Sequence, residues 1–319
     1  MDITLGKAID GFKLSNEASG LADKTINWYD SNLKLFQKWL HNHLNNGEVK
    51  LEKISDVDLK KYLSELRNKD SCFMNHPYRP EENHSLSPRT IRGYYASLSA
   101  FFHWSVREDF ISTSPLENIS KPKTPKYLPD PFSKDDIQAL LEACDEFPES
   151  TSHRAKAMVL FLLDSGVRLS EMVNLKHPDV DLKTGRAKIV GKGAKERFVY
   201  FGRKTKKALW RYISLTRPEP MPTVINLFLS VDGRTMKNRR IGHILSNLGN
   251  KAEIEDVHAH RFRRTAAVQF IRNGGSIFAL QKLLGHESLE MVRRYVELAS
   301  KDVENAHRTA SPVDRWDLS

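Results

Sequence analysis

The sequence predicts a mostly helical chain of two domains, with one small antiparallel β-sheet inside the second, an α+β arrangement. Three observations carry this. Apolar residues recur at helical spacing through most of the chain. A proline-dense stretch from Ser112 to Pro131, holding Pro115, Pro122, Pro125 and Pro129, interrupts that pattern. Residues 178–201 switch to short β-like runs separated by turn sequences. At 319 residues the chain can bury two separate cores, and 39% hydrophobic with 28% charged residues is a globular balance that excludes wholesale disorder.

In the first domain, residues 1–111, Leu5, Ala8, Ile9 and Phe12 share one helical stripe. A longer helix follows with Asp23 as N-cap and Ile26, Tyr29, Leu33, Phe36 and Leu40 on one face, and Asn46-Gly47 closes that neighbourhood. Ser55 caps a third helix carrying Val57, Tyr62, Leu63 and Leu66. Ser87-Pro88 reads as N-cap and first helical residue of a fourth, through Tyr94, Tyr95, Leu98, Phe101 and Phe102. Four amphipathic helices with short loops make a compact helical domain.

Proline at the density found in residues 112–131 forbids a helix and favours an extended connector, which places the domain boundary there. The second domain, residues 132–319, opens with the capping-box pattern Ser133-x-x-Asp136 before Ile137, Leu140 and Leu141. Ala155 to Leu163 is almost wholly apolar and short, hence a buried helix, and it ends at Gly166. Then VDL, RAKIV and ERFVYF form the sheet, with Lys183-Thr184-Gly185 and the Gly191–Lys195 segment as turns. Helical spacing resumes from Lys204. It includes a helix to Asn273 closed by Gly274-Gly275, a short helix ending at Leu284-Gly285, and a last one with Met291, Val292, Tyr295, Val296 and Ala299 on one stripe.

Charge is distributed unevenly. The net charge is +10; residues 1–120 hold 15 basic against 16 acidic residues, leaving 35 against 24 for the rest. Residues 186–211 alone carry ten basic residues and one acid, Glu196, and further basic runs lie near Arg234–Arg240 and Arg261–Arg264. Any one such run is compatible with an ordinary solvated face, but their recurrence points to a polyanion such as DNA. The two cysteines, Cys72 and Cys144, form no C-x-x-C pair, which fits a reducing compartment. No apolar run is long enough to span a bilayer and MDITLGKAIDGF lacks signal-peptide order, so a cytoplasmic protein is expected.

Several residues carry chemistry. Arg168, just after the helix-ending Gly166, offers a planar five-donor fork suited to a phosphate, with Glu171 as its local carboxylate partner. Lys192 and Lys195 sit on the glycine-flanked turn GKGAKER, where a mobile ammonium can serve as general acid; spacing does not choose between them. Two overlapping His-x-x-Arg patterns, His258 with Arg261 and His260 with Arg263, each put both side chains on one helix face, and periodicity leaves that choice open too. His286 follows Leu284-Gly285, and Tyr295 lies nine residues further on. Arg168, Lys192 and Tyr295 each have a plain structural reading, as ion pair, exposed lysine and core aromatic. Together they fit transfer of a phosphate to a phenol. A phenol titrates near ~10, so ionising it at neutral pH costs roughly 4 kcal/mol, which a cationic cluster or a histidine base can offset. Fixed arginines can carry the charge of the transition state, at about 3 kcal/mol for each donor lost. The sequence shows no His-Glu-x-x-His and no clustered carboxylates, so a metal-free route is expected, with no cofactor.

SGVRLSE, GKGAKER and the His260–Tyr295 stretch, in this order, resemble the tyrosine recombinases, the phage-integrase family, most closely its simple Xer-like members. SPRTIRGYYASLSAFFHW resembles the last helices of that family's SAM-like core-binding domain, so the likeness covers nearly the whole chain. The resemblance implies a two-domain clamp on duplex DNA and cleavage through a 3′-phosphotyrosyl link, without metal or ATP. It makes Arg168 and Arg263 phosphate ligands, Glu171 the supporting acid, and Lys192 rather than Lys195 the general acid for the 5′-hydroxyl. It selects His260 as proton acceptor, His286 as the last histidine-class ligand and Tyr295 as nucleophile. Arg264 stands where many relatives carry histidine or lysine.

Arg89, Arg92, Lys195, Arg261 and Arg264 are the remaining candidates for DNA contact. The implied partners are recombination sites in duplex DNA and a tetramer, of identical chains or mixed with a related recombinase, with accessory proteins left open. A nucleoid-bound cytoplasmic enzyme of DNA integration, excision or resolution follows. A C-terminal segment with Trp316 as its anchor would dock within the chain or on a neighbour. Two other readings share these features: a type IB topoisomerase, which uses the same chemistry without matched sites, and a helical DNA-binding regulator with no chemistry.

Overall fold

A computed structural model describes residues 3–44, 49–68, 85–124, 130–191, 193, 195–286, 288–299, 307, 311 and 313. Asn46-Gly47, Cys72, Pro125, Pro129 and Trp316, and the side chain of Met291, lie outside the described residues. The chain divides into two compact units, Met1–Tyr127 and Leu128–Ser319.

The first unit is built from α1 (Leu5–Ala18), α2 (Asp23–His43), α3 (Asp56–Arg67) and α4 (Pro88–Arg107). Leu5, Ala8, Ile9 and Phe12 of α1 are all buried, against Leu33, Phe36 and Leu40 of α2 and Leu98, Phe101 and Phe102 of α4. Ser55 closes a reciprocal capping box with Asp58 at the start of α3, and Ser87 caps α4 with Pro88 in its first turn. Two expectations need adjusting. Ala22, not Asp23, occupies the N-cap position of α2. Val57 is exposed, because it lies two residues before buried Leu59 and so points roughly the opposite way around the helix. Residues just past α4 are no free connector: Leu116 joins the same core, and the Tyr95 hydroxyl donates to the Ile119 carbonyl at 2.9 Å.

The second unit runs α5 (Lys134–Ala143), α6 (Glu149–Ser165), α7 (Leu169–Asn174), β1 (Val180–Asp181), β2 (Arg186–Val190), β3 (Glu196–Tyr200), α8 (Arg203–Arg211), α9 (Asn238–Lys251), α10 (Ala259–Arg272), α11 (Ile277–Leu284) and α12 (Glu290–Ala299). A π-type turn, Tyr212–Thr216, extends α8. The strands form one antiparallel sheet in the order β1-β2-β3, with Ala187 opposite Val199. The Ser133–Asp136 capping box opens α5. Helix α6 is the centre of the unit: Ala155, Ala157, Met158, Val159, Phe161 and Leu162 are buried around its circumference, as expected of a helix wrapped on all sides. Ala267 and Val268 of α10, Leu280 and Leu284 of α11, and Val292, Tyr295 and Ala299 of α12 form a second cluster. Among the described residues no helix is long and apolar enough to cross a membrane.

Candidate active site

The site forms where four chain segments end or begin near one another. Helix α6 closes on Gly166 in the left-handed conformation, φ 61°. That turn puts Arg168 at the N-cap position of α7. Its backbone N–H donates to Oε2 of Glu171 at 2.7 Å and its Nη1 to Oε1 at 2.9 Å. Strand β3 contributes Arg197, whose Nη1 and Nη2 donate to Oε1 and Oε2 of the same carboxylate at 2.9 and 2.8 Å. The third nitrogen of Arg197, Nε, donates to the Leu283 carbonyl at the end of α11 at 2.9 Å. Burial pushes the Glu171 carboxyl up, but hydrogen bonds from Arg197 and Arg168 and the nearby Arg197 charge outweigh it and hold the group below the usual carboxylate range.

Arg263, on α10, is the largest fully buried side chain at 1% exposure. Its Nη1 donates to the Gly166 carbonyl at 2.7 Å, and its Nη2 to the Leu284 carbonyl and His286 Nε2, each at 2.8 Å. These acceptors fix the guanidinium without neutralising it. Burial and the Arg168 charge push its pKa down to about 10, against the opposing pull of Tyr295 and Glu171. Among the described residues, Arg168, Arg197 and Arg263 thus set three guanidinium groups against one carboxylate, Glu171. Such a surplus of fixed positive charge favours an anion.

Arginine only donates, so Nε2 of His286 accepts from Arg263 and the ring proton resides on Nδ1. That Nδ1 is buried with no hydrogen-bond partner among the described residues. Burial, then the charges of Arg263, Arg168 and Arg197, push the His286 pKa down to about 4. Backbone and side-chain bonds to Gln281 hold the turn that carries it. The Tyr295 ring stands edge-on to His286, centroids 6.1 Å apart. His260, on the first turn of α10, stays accessible to solvent; partial desolvation of its ring, then the charges of Arg263 and Arg264, lower its pKa and favour the neutral base.

Arg168, Glu171, Arg263, His286 and Tyr295 therefore meet in one place, with His260 at its rim. The two His-x-x-Arg pairs prove physically different. His258 is the N-cap of α10, accepting from the Arg261 backbone N–H. Arg261, proposed from sequence as a DNA contact, is committed inside the unit: Nε donates to the Asp130 carbonyl, Nη1 to the Glu255 carbonyl, and the guanidinium stacks 4.1 Å from the Phe132 ring centre. Arg264, the other α10 candidate, is buried, because its side falls toward the core. Lys195, Arg89 and Arg92 are exposed. Lys192 lies outside the described residues. Arg197 was missed by sequence reasoning, although it shares strand parity with buried Val199.

A helical scaffold that gathers guanidinium groups beside a tyrosine defines a class of enzyme that handles phosphate through fixed positive charge. Residues 131–302 match the phage integrase family and residues 13–109 match the phage integrase N-terminal SAM-like domain. The chain belongs to that family: it is a tyrosine recombinase, an enzyme of site-specific recombination that cleaves and rejoins DNA. Tyrosine recombinase XerC of Leptospira interrogans is 29% identical, covering 98% of this chain and 94% of its own length. The fold is shared with XerH recombinase bound to its palindromic difH substrate in a post-cleavage complex, at TM-score 0.70 and 22% identity over 94% of this chain and 83% of that one. It is shared equally with a lambda integrase tetramer bound to a Holliday junction, at TM-score 0.70 and 16% identity over 92% of this chain and 77% of that one.

Proposed function

We propose that the reaction runs by attack of the Tyr295 hydroxyl on a DNA phosphorus, giving a 3′-phosphotyrosyl link and a free 5′-hydroxyl, with the reverse attack resealing the strand. The observation that carries this reading is the cationic cage of Arg168 and Arg263 joined through His286 to the ring of Tyr295. Arg168 and Arg263 bind the non-bridging oxygens, on which charge accumulates in the transition state. His286 donates Nδ1–H to the same phosphate, which supplies the acceptor its buried nitrogen lacks. Losing one such donor costs about 3 kcal/mol of transition-state stabilisation.

His260 takes the phenolic proton, a role its lowered pKa suits at neutral pH. Lys192 protonates the departing 5′-oxygen. The bond energy is retained in the phosphotyrosyl ester, so neither ATP nor a metal enters the scheme. Among the remaining basic residues, Arg89, Arg92 and Lys195 make backbone contacts that position the duplex.

The partners are two recombination sites in duplex DNA and three further recombinase chains, in keeping with the lambda integrase tetramer on its junction. DNA of the chromosome or of a mobile element as substrate places the enzyme in the cytoplasm, on the nucleoid, in integration, excision or resolution. The test is a nicked duplex that traps the cleaved state. The parent protein forms a covalent adduct that survives denaturation, and Tyr295→Phe forms none while binding the same duplex within about threefold. An adduct in the phenylalanine variant would assign the nucleophile elsewhere.

A further inference from the structure

Glu171 accepts four hydrogen bonds: Oε1 from Nη1 of Arg168 and Nη1 of Arg197, Oε2 from the Arg168 backbone and Nη2 of Arg197. An ionised carboxylate has about four acceptor positions, so none is left over. The two arginines divide it unequally. Arg197 holds both oxygens in a bidentate fork, its Nε is committed to Leu283, and its side chain is 13% exposed. Arg168 has one side-chain bond to Glu171 and is 39% exposed.

We propose that Arg197 is a positioning residue for recombination: by occupying half of the Glu171 carboxylate, it restricts Arg168 to one side-chain bond and leaves the outer donors of Arg168 for the DNA phosphate. The proposal rests on Arg168 being a phosphate ligand. Without Arg197, two acceptor positions of a buried carboxylate fall empty, and the guanidinium nearest to them is that of Arg168. A bidentate pair is the stronger arrangement. Arg168 then turns inward to chelate Glu171, and its donors leave the place where the phosphate lies.

Arg197 also reaches the other half of the site. Its Leu283 bond lies one residue before the Leu284 carbonyl that accepts from Arg263, and three before His286. The turn packs closely on the guanidinium, for a Cβ on Gly285 would come within 3.2 Å of Arg197 Cδ and Nε. One strand residue thus sets the spacing between the α7 end of the cage and the α11 end.

The test is single-turnover cleavage of a trapped duplex by Arg197→Ala, Arg197→Lys, Glu171→Gln and the paired variants, with duplex affinity and thermal midpoint measured for each. Arg197→Ala is expected to cleave about 100-fold slower, the scale of a misplaced catalytic group, with affinity little changed. Arg197→Lys, which can hold one oxygen but not both, is expected to fall between. Adding Glu171→Gln to Arg197→Ala is expected to recover part of the rate, because an uncharged amide with one acceptor oxygen cannot chelate Arg168. Should Arg197→Ala fail to fold, the same comparison is made on Arg197→Lys with and without Glu171→Gln. Cleavage at the parent rate by Arg197→Ala, or independent losses that multiply in the paired variant, would overturn the proposal. Arg168→Ala run alongside separates the two ideas: normal cleavage by that variant removes Arg168 as a ligand, whereas its failure beside an unaffected Arg197→Ala removes only the role of Arg197.

Discussion

Desolvation and the neighbouring arginine charges lower the pKa of both His260 and His286, which favours the neutral ring that each proposed task requires. His260 must be unprotonated to accept a proton, and Nε2 of His286 must be unprotonated to accept from Arg263. The acid limb of cleavage should therefore lie below the ordinary histidine value of 6.5. A pH profile of single-turnover cleavage checks this, and His260→Gln should lower the rate and remove the limb belonging to that residue. Stability follows the same direction. An unfolded chain protonates His286 near 6.5 while the folded one resists until about 4, so stability is full above that window and is lost as pH falls through it. Glu171, whose folded value is depressed, contributes stability above its ordinary 4.5 that is lost at still lower pH. Thermal midpoints should hold steady above pH 6.5 and decline below; a midpoint rising toward acid would contradict these assignments. Arg197 shows why part of the site escaped the sequence. ERFVYF is apolar on both faces, with Phe198 and Tyr200 exposed and Val199 buried, so its alternation does not reveal which side faces in. The partners of Arg197 lie 26 and 86 positions away.

At the scale of elements, the site depends on how helices end. Gly166 takes a left-handed conformation, and a Cβ there would approach Leu284 Cδ2 to 2.8 Å, in the turn whose carbonyl holds Arg263. Gly166→Ala should cost roughly 1–2 kcal/mol for conformation alone, plus the displacement of Leu284. A fall of several degrees in thermal midpoint together with slower cleavage would agree; an unchanged protein would not. These ends were readable because capping is local chemistry: the Ser55, Ser87 and Ser133 caps and the Gly166, Gly274 and Gly285 turns each depend on a few consecutive residues. Side-chain destinations on α10 were not, since residues 258–264 hold five basic or histidine residues with similar spacing. His258 became a cap, Arg261 bonded to backbone carbonyls at the unit's surface, Arg264 turned inward, and Arg263 reached the cage. Arg261→Ala should consequently lower thermal stability while leaving the salt dependence of DNA binding unchanged. A reduced salt slope would return Arg261 to the DNA face.

For the whole molecule, charge and chain division are both visible in composition. The second part of the chain carries the entire basic excess, so DNA affinity should fall steeply with salt, by about 0.9 log units per log unit for each phosphate neutralised. Removing one exposed arginine such as Arg92 should flatten that slope by about one contact; a response already flat in the parent would contradict the charge argument. The division between the units falls at Tyr127–Leu128, within the proline-dense stretch, but nothing there announced that Leu116 would fold back onto the first core, since a single apolar residue among prolines has no period to read. The proposed chemistry turns on the identity of one oxygen. Trapping the protein on a nicked duplex, digesting it and sequencing the peptide that remains bound to DNA identifies that oxygen directly. The phosphate should be found on Tyr295, in the α12 peptide; its recovery on any other residue would contradict the account.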